Sequence, residues 1–178
     1  MLPTALIITL QMEAKAAEHF TQLRKKHFPP ERNWLDAHIT LFHALPVACL
    51  DRVVQDAAAA ADTTENFSLQ VDRVQFLGAG VAYGMTSAKA RGIRDTLATR
   101  WAELLGRQDA NWPGRLHVTV QNKVPHQVAR DLHAELARDF RPFDISAVGL
   151  QIWFYVGGPW QLAATLPFRD HRLDAIAQ

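Results

Sequence analysis

The chain has 178 residues, 48% of them hydrophobic, and carries 19 Lys and Arg against 18 Asp and Glu. That length suffices for one domain with a sizeable core, and the even charge balance excludes a global electrostatic pull toward nucleic acid or membrane, so any polyanion must be held locally. The single cysteine, Cys49, excludes an internal disulfide and offers no metal-ligand set.

In chain order, Leu6, Ile7 and Ile8 form a short apolar run that predicts a strand over 4–10. Met12, Ala16, Phe20 and Leu23 recur at helical spacing over 11–27, with Arg24-Lys25-Lys26 complementing the dipole in the last turn and Pro29-Pro30 ending the segment. A strand over His38-Ile39-Thr40-Leu41 follows. Leu50, Val53, Val54, Ala57, Ala58 and Ala61 then predict an amphipathic helix. Phe67, Leu69 and Val71 alternate as a half-buried strand that continues through 74–77, turns at Gly78-Ala79-Gly80 and pairs back over 81–86.

The second half repeats this plan. Ile93, Leu97, Trp101, Leu104 and Leu105 predict a helix stopping at Gly106, and 107–114 reads as a polar loop. A strand over His117-Val118-Thr119-Val120 precedes a helix lined by Val128, Leu132 and Leu136 between Pro125 and Pro142. Residues 143–156 are strand-like, Gly157-Gly158-Pro159 turns the chain, 161–166 returns as the last strand, and 168–178 is a tail with little signal. Interleaved strands and helices predict an α/β or α+β fold.

The two His-x-Thr tetrads lie 79 positions apart, as do Pro46 and Pro125 behind them. Asn33-Trp34 and Asn111-Trp112 precede them at an offset of 78, and Phe67, Leu69, Val74 and Gln75 match Phe143, Ile145, Leu150 and Gln151 at 76. This shared order reads as an internal duplication: residues 1–178 form one bilobal domain with pseudo-twofold symmetry, its halves approximately 1–79 and 80–178.

Residues two apart in a strand share a face. His38 and Thr40 therefore project together from one strand and His117 and Thr119 from the other, each pair backed by an apolar face. By the same parity Arg115 joins His117 and can hold a phosphate oxygen bidentately, with Asp36 as its counterpart and alternative ion-pair partner. Phe42 and Gln121 extend the two faces by one step, Phe42 either stacking on a base or closing the cleft floor. Trp34 and Trp112 either rim the cleft and stack on nucleobases or anchor the packing. His43 is out of phase with His38 and is expected to point into the core or toward a helix. The remaining histidines, His19, His27, His126, His133 and His171, form no His-x-x-x-His pair with a carboxylate, so neither a metal nor another cofactor is expected.

Two His-x-Thr-hydrophobic tetrads about eighty residues apart, each in a strand and each followed by a helix, resemble those of the 2H phosphoesterase superfamily, and specifically its 2′-5′ RNA ligase and cyclic nucleotide phosphodiesterase branch. The resemblance implies two mainly antiparallel sheets flanked by helices around a central, water-filled cleft. It implies metal-independent cleavage of 2′,3′-cyclic phosphate or 2′-5′ phosphoester bonds, in an RNA terminus or a small cyclic nucleotide, with 2′-5′ ligation as the reverse reaction. His38 and His117 would transfer protons and Thr40 and Thr119 would hold the non-bridging oxygens. The resemblance leans toward His38 as the acid and His117 as the base, an assignment the residues themselves leave open. Phe42-His43-Ala44-Leu45-Pro46 departs from the Phe-Leu-Gly type segment frequent in bacterial ligase-like members, which separates the superfamily from the choice of substrate. A non-catalytic RNA-binding module that merely grips phosphate is the alternative. Met1-Leu2-Pro3-Thr4 lacks a basic leader and no apolar run approaches membrane-spanning length, so a cytoplasmic monomer is expected.

Overall fold

The computed structural model describes residues 2–170. Met1 and the end of the expected tail, including His171, lie outside the described residues. The elements are β1 (Ala5–Met12), α1 (Ala14–His27), β2 (Ile39–Leu45), α2 (Leu50–Asp62), β3 (Phe67–Phe76), β4 (Val81–Thr86), α3 (Ala88–Arg100), α4 (Arg107–Ala110), β5 (Leu116–Gln121), α5 (His126–Arg138), β6 (Phe143–Tyr155) and β7 (Trp160–Pro167).

Local chemistry accounts for several boundaries. Ser87 caps α3 by accepting a hydrogen bond from the Ala90 N–H. Pro125 stands immediately before α5, where its missing N–H costs nothing. Gly78 and Gly157 supply positive φ, 83° and 87°, at the turns into β4 and β7. Two boundaries differ from expectation. The helix expected to run to Leu105 stops at Arg100 in a short 3-10 turn, and the expected polar loop opens with α4, whose Asp109 is buried. A polar residue reads as loop until its partners are known.

The mixed α/β fold class is as expected, but one seven-stranded antiparallel sheet replaces the two expected, in the order β2-β1-β6-β3-β4-β5 with β7 also paired to β6. The long β6 joins the lobes. Its first part pairs with β3 from Phe143 to Ala147, and its second part pairs with β7 from Gly149 to Tyr155, while β1 runs along its other edge. Exchanging β1 with β4, β2 with β5 and β3 with β6 gives the same order in reverse. The two tetrad strands are thus the opposite ends of that order.

The sheet curls until those ends approach, for β2 contacts β5 and α1 packs on β5. Behind the tetrads Ile39, Leu41, Val118 and Val120 are fully buried, joined by Leu6, Ile8 and Leu10 of β1 and by Val53 and Ala57 of α2. Each large aliphatic side chain buried there contributes roughly 1.5–3 kcal/mol. The exposed face of each tetrad is therefore fixed by its apolar back. Among the described residues no helix is long and apolar enough to cross a membrane.

Candidate active site

His38 stands immediately before β2 and His117 is the second residue of β5. The His38 Nδ1 lies 2.8 Å from the Asp36 carbonyl. A carbonyl can only accept, so Nδ1 carries the proton and Nε2 is left for other work. For His117 the Arg115 backbone, again two residues upstream, works to raise the pKa against burial. Thr40 lies opposite Thr9 in β1, and Thr119 opposite Ala82 in β4.

His38 of the first tetrad and Thr119 of the second line one cavity of about 270 Å³ with Arg24, Lys123, Trp34 and Trp160 among others, while Thr40 and His117 are not in its lining. A neighbouring cavity of about 490 Å³ shares His38, Trp34 and Trp160 and adds Gln11, Gln151 and Trp153. Trp160 packs on His38 with ring centroids 4.6 Å apart. His38 and its aromatic neighbours thus divide a cationic compartment from one lined by amide groups.

Burial governs the site's electrostatics. It pushes His38 down from 6.5 to about 4; the Asp36 carbonyl opposes this, while Arg24, His117 and His43 add to it. His117 is also lowered, first by burial and next by His43. Both rings are consequently neutral near pH 7, and a bound anion would favour charging them. Burial likewise pushes the Arg24 guanidinium down to about 10, against the attraction of Asp36. Arg24 donates to Asn33 Oδ1 and the Leu35 carbonyl, each at 3.2 Å, and to the Thr119 carbonyl at 2.7 Å. One buried cation thereby ties the loop before His38 to the opposite tetrad.

Matching irregularities in β2 and β5 overturn part of the parity argument. Thr9 faces Thr40 but Ile8 faces Phe42, so Leu41 is an extra residue; Ala82 faces Thr119 but Val81 faces Gln121, so Val120 is the extra one. Such a bulge moves the next side chain to the other face, and in β2 a second irregularity, before the pairing of Leu6 with Leu45, follows it. Phe42, expected on the substrate face, is instead 0% exposed and packs edge-on against Trp101, and Gln121 is also buried. His43, expected to point into the core or toward a helix, turns to α4, its side chain 34% exposed. There it meets Asp109, whose carboxylate accepts from the ring Nδ1 at 2.9 Å.

The tryptophans part company. Trp34 is 58% exposed and borders both cavities, whereas Trp112 packs against the core beneath the Arg94 guanidinium, 4.7 Å from the ring centroid. The cleft-rim expectation for Trp112 is therefore corrected to a packing anchor. Arg115 is exposed just before β5, and among the described residues no ion pair joins it to Asp36. Sequence reasoning missed Trp160, Lys123, Asn122, Arg24, His43 and Asp109 as members of the cleft or its support. For Phe42 the adjacent apolar pair Leu41-Phe42, which breaks strict alternation, was the available signal.

A family profile described as the 2′-5′ RNA ligase superfamily matches residues 12–159. Among solved structures, TT0787 of Thermus thermophilus is similar with a TM-score of 0.64 at 12% identity, covering 94% of this chain and 100% of its own. Escherichia coli LigT, solved with 3′-AMP, gives 0.62 at 16% identity over 94% of this chain and 99% of its own. A structure described as a phosphoesterase gives 0.63 at 18% over the same shares. No curated protein matches the chain in sequence. The structural likenesses concern the fold.

Proposed function

Because the chain belongs to the 2′-5′ RNA ligase superfamily, we propose that it is a metal-independent phosphodiesterase that opens 2′,3′-cyclic phosphates or cleaves 2′-5′ phosphoester bonds at RNA ends or in small nucleotides. The observation that carries this reading is the cavity lined by one residue of each tetrad, His38 and Thr119. Membership of the superfamily supports phosphodiester chemistry in general; the substrate and the residue roles are our inference.

In the proposed reaction one imidazole takes a proton from water as its oxygen attacks phosphorus. The other gives a proton to the departing ribose oxygen. Following the family resemblance, His117 is the base and His38 the acid, which leaves the phosphate on the 2′ oxygen. The lowered His117 suits it to accept a proton at neutral pH. His38, at about 4 in the free protein, gains its proton only with an anion in place and is then a strong donor. Thr40 and Thr119 donate to the non-bridging oxygens as charge builds.

The cavity walls suit a nucleotide. Trp34 and Trp160 offer ring faces to a base, and Lys123 offers a charge to an adjoining phosphate. With a 5′-hydroxyl in place of water, the same groups would join ends through a 2′-5′ linkage. The deciding experiment supplies a 2′,3′-cyclic nucleotide in EDTA to the protein and to His38→Ala and His117→Ala. Hydrolysis that persists in chelator and vanishes in both variants is expected. RNA binding without turnover would instead favour a gripping module, and chelator sensitivity a metal enzyme.

A further inference from the structure

His43 and Asp109 are not used by that mechanism, yet they form the most completely bonded polar pair beside it. The Asp109 carboxylate is 1% exposed and accepts four hydrogen bonds: from the His43 Nδ1 at 2.9 Å, from the His43 N–H at 3.0 Å to each oxygen, and from the Ala44 N–H at 3.1 Å. Burial pushes this carboxyl up, but the His43 ring and the two amides together hold it below the usual carboxylate range. It is thus an ionised acceptor, and the His43 Nδ1 must carry a proton.

With Nδ1 committed, Nε2 is on the side of the ring away from Asp109, and the His43 side chain is 34% exposed. The extra residue at Leu41 sets Phe42 in the core, and the next residue, His43, is partly exposed on the strand that follows His38. Asn122, which follows the matching bulge in β5 at the position equivalent to His43, lines the cavity of His38 and Thr119. The charge of His43 also acts on both His38 and His117. Among the described residues no three His, Cys, Asp or Glu side chains cluster closely enough to hold a metal ion.

We propose that His43 is a third functional imidazole of the site, held by Asp109 so that its Nε2 donates to a non-bridging oxygen of the substrate's phosphoryl group. His43 then touches the reacting group, and Asp109 is a positioning residue that fixes the tautomer and balances the imidazolium. A buried carboxylate is costly unless its charge is used. The bulge amides alone would be as well served by a neutral acceptor.

The proposal rests on the phosphodiesterase reading, and the two can fail separately. Inorganic phosphate is titrated into the full chain while the imidazole nitrogens are followed by NMR. His43 Nε2 should respond together with His38 and His117. Hydrolysis of a 2′,3′-cyclic nucleotide is measured in parallel for His43→Phe, His43→Gln and Asp109→Asn. Loss of the donor in His43→Phe should lower kcat about 10²-fold with little change in KM. His43→Gln, which keeps an N–H donor, should recover part of that loss, and Asp109→Asn should shift the pH profile. A His43 ring unmoved by saturating phosphate, or a His43→Phe protein of unchanged kcat and merely lowered Tm, overturns the third imidazole and leaves the reaction standing. If His43 responds to phosphate but no cyclic nucleotide is opened, the reaction is wrong and the anion contact stands.

Discussion

His38 and Thr119 come from strands at opposite ends of the sheet order, yet they line one cavity, and Arg24 locks them there by donating to the Thr119 carbonyl at 2.7 Å while bonding the loop that precedes His38. Curling the sheet brings its ends together without a hydrogen-bond ladder between them. The buried cation substitutes for that ladder at one point.

Removing either imidazole tests the chemistry directly. His38→Ala and His117→Ala should each lower kcat by about 10²–10⁴-fold on a 2′,3′-cyclic nucleotide. Both rings lie outside the fully buried core, so circular dichroism should show folded protein in each case. A variant that keeps more than a tenth of the wild-type rate would remove that histidine from the mechanism.

The acid stability of the fold follows from the depressed His38. Its folded value is about 4 against 6.5 when unfolded, so between those values the unfolded chain binds more protons. Stability present above pH 6.5 is then lost as pH falls toward 4, by about 3 kcal/mol for this group. His117 acts in the same direction. Asp109, held below the usual carboxylate range, contributes stability that is lost only at still lower pH. Urea unfolding at pH 7 and pH 4.5 should show a smaller loss for His38→Gln than for wild type; equal losses would mean that the ring is not desolvated.

Much of this geometry is legible in the chain itself. Alternation in His38-Ile39-Thr40-Leu41 and in its second copy is enough to separate the reactive face from its apolar back, because the period of a strand leaves only two faces. The bulge is not legible from that period, since one extra residue moves its successor to the opposite face. Leu41-Phe42 hints at it through two successive apolar residues, but Val120-Gln121 conceals it, because a glutamine there reads as surface. Trp160 escaped for a different reason: it reaches His38 through pairing of β7 with β6, far along the chain. Arg24 reads as a helix-end cation until the loop at 33–35 folds over it.

The bulge yields its own prediction. Phe42 fills the space between Trp101 and the Arg94 guanidinium, which lies 4.4 Å from its ring centroid. Phe42→Ala should therefore cost about 3–5 kcal/mol of stability. Phe42→Leu should recover most of this, and the recovered protein should keep the wild-type KM. A stable Phe42→Ala protein with a raised KM would return this residue to the substrate face.

Trp34 and Trp112 give the opposite pair of outcomes despite their matching places before the tetrads. Trp34 is exposed and borders both cavities, with Gly158 close enough that an added Cβ would lie 3.6 Å from its ring. Trp34→Ala should raise KM for a cyclic nucleotide several-fold, corresponding to loss of about 1–3 kcal/mol of base stacking, with little change in Tm. Trp112 packs against the core and against Arg94, whose other bonds reach the Leu41 and Asp109 carbonyls. Trp112→Ala should lower Tm by several degrees, and any change in rate should follow from loosening the strand that carries His43. Measuring KM and Tm for both variants separates the roles: a Tm loss without a KM change for Trp34 would make both rings anchors and leave the base to Trp160.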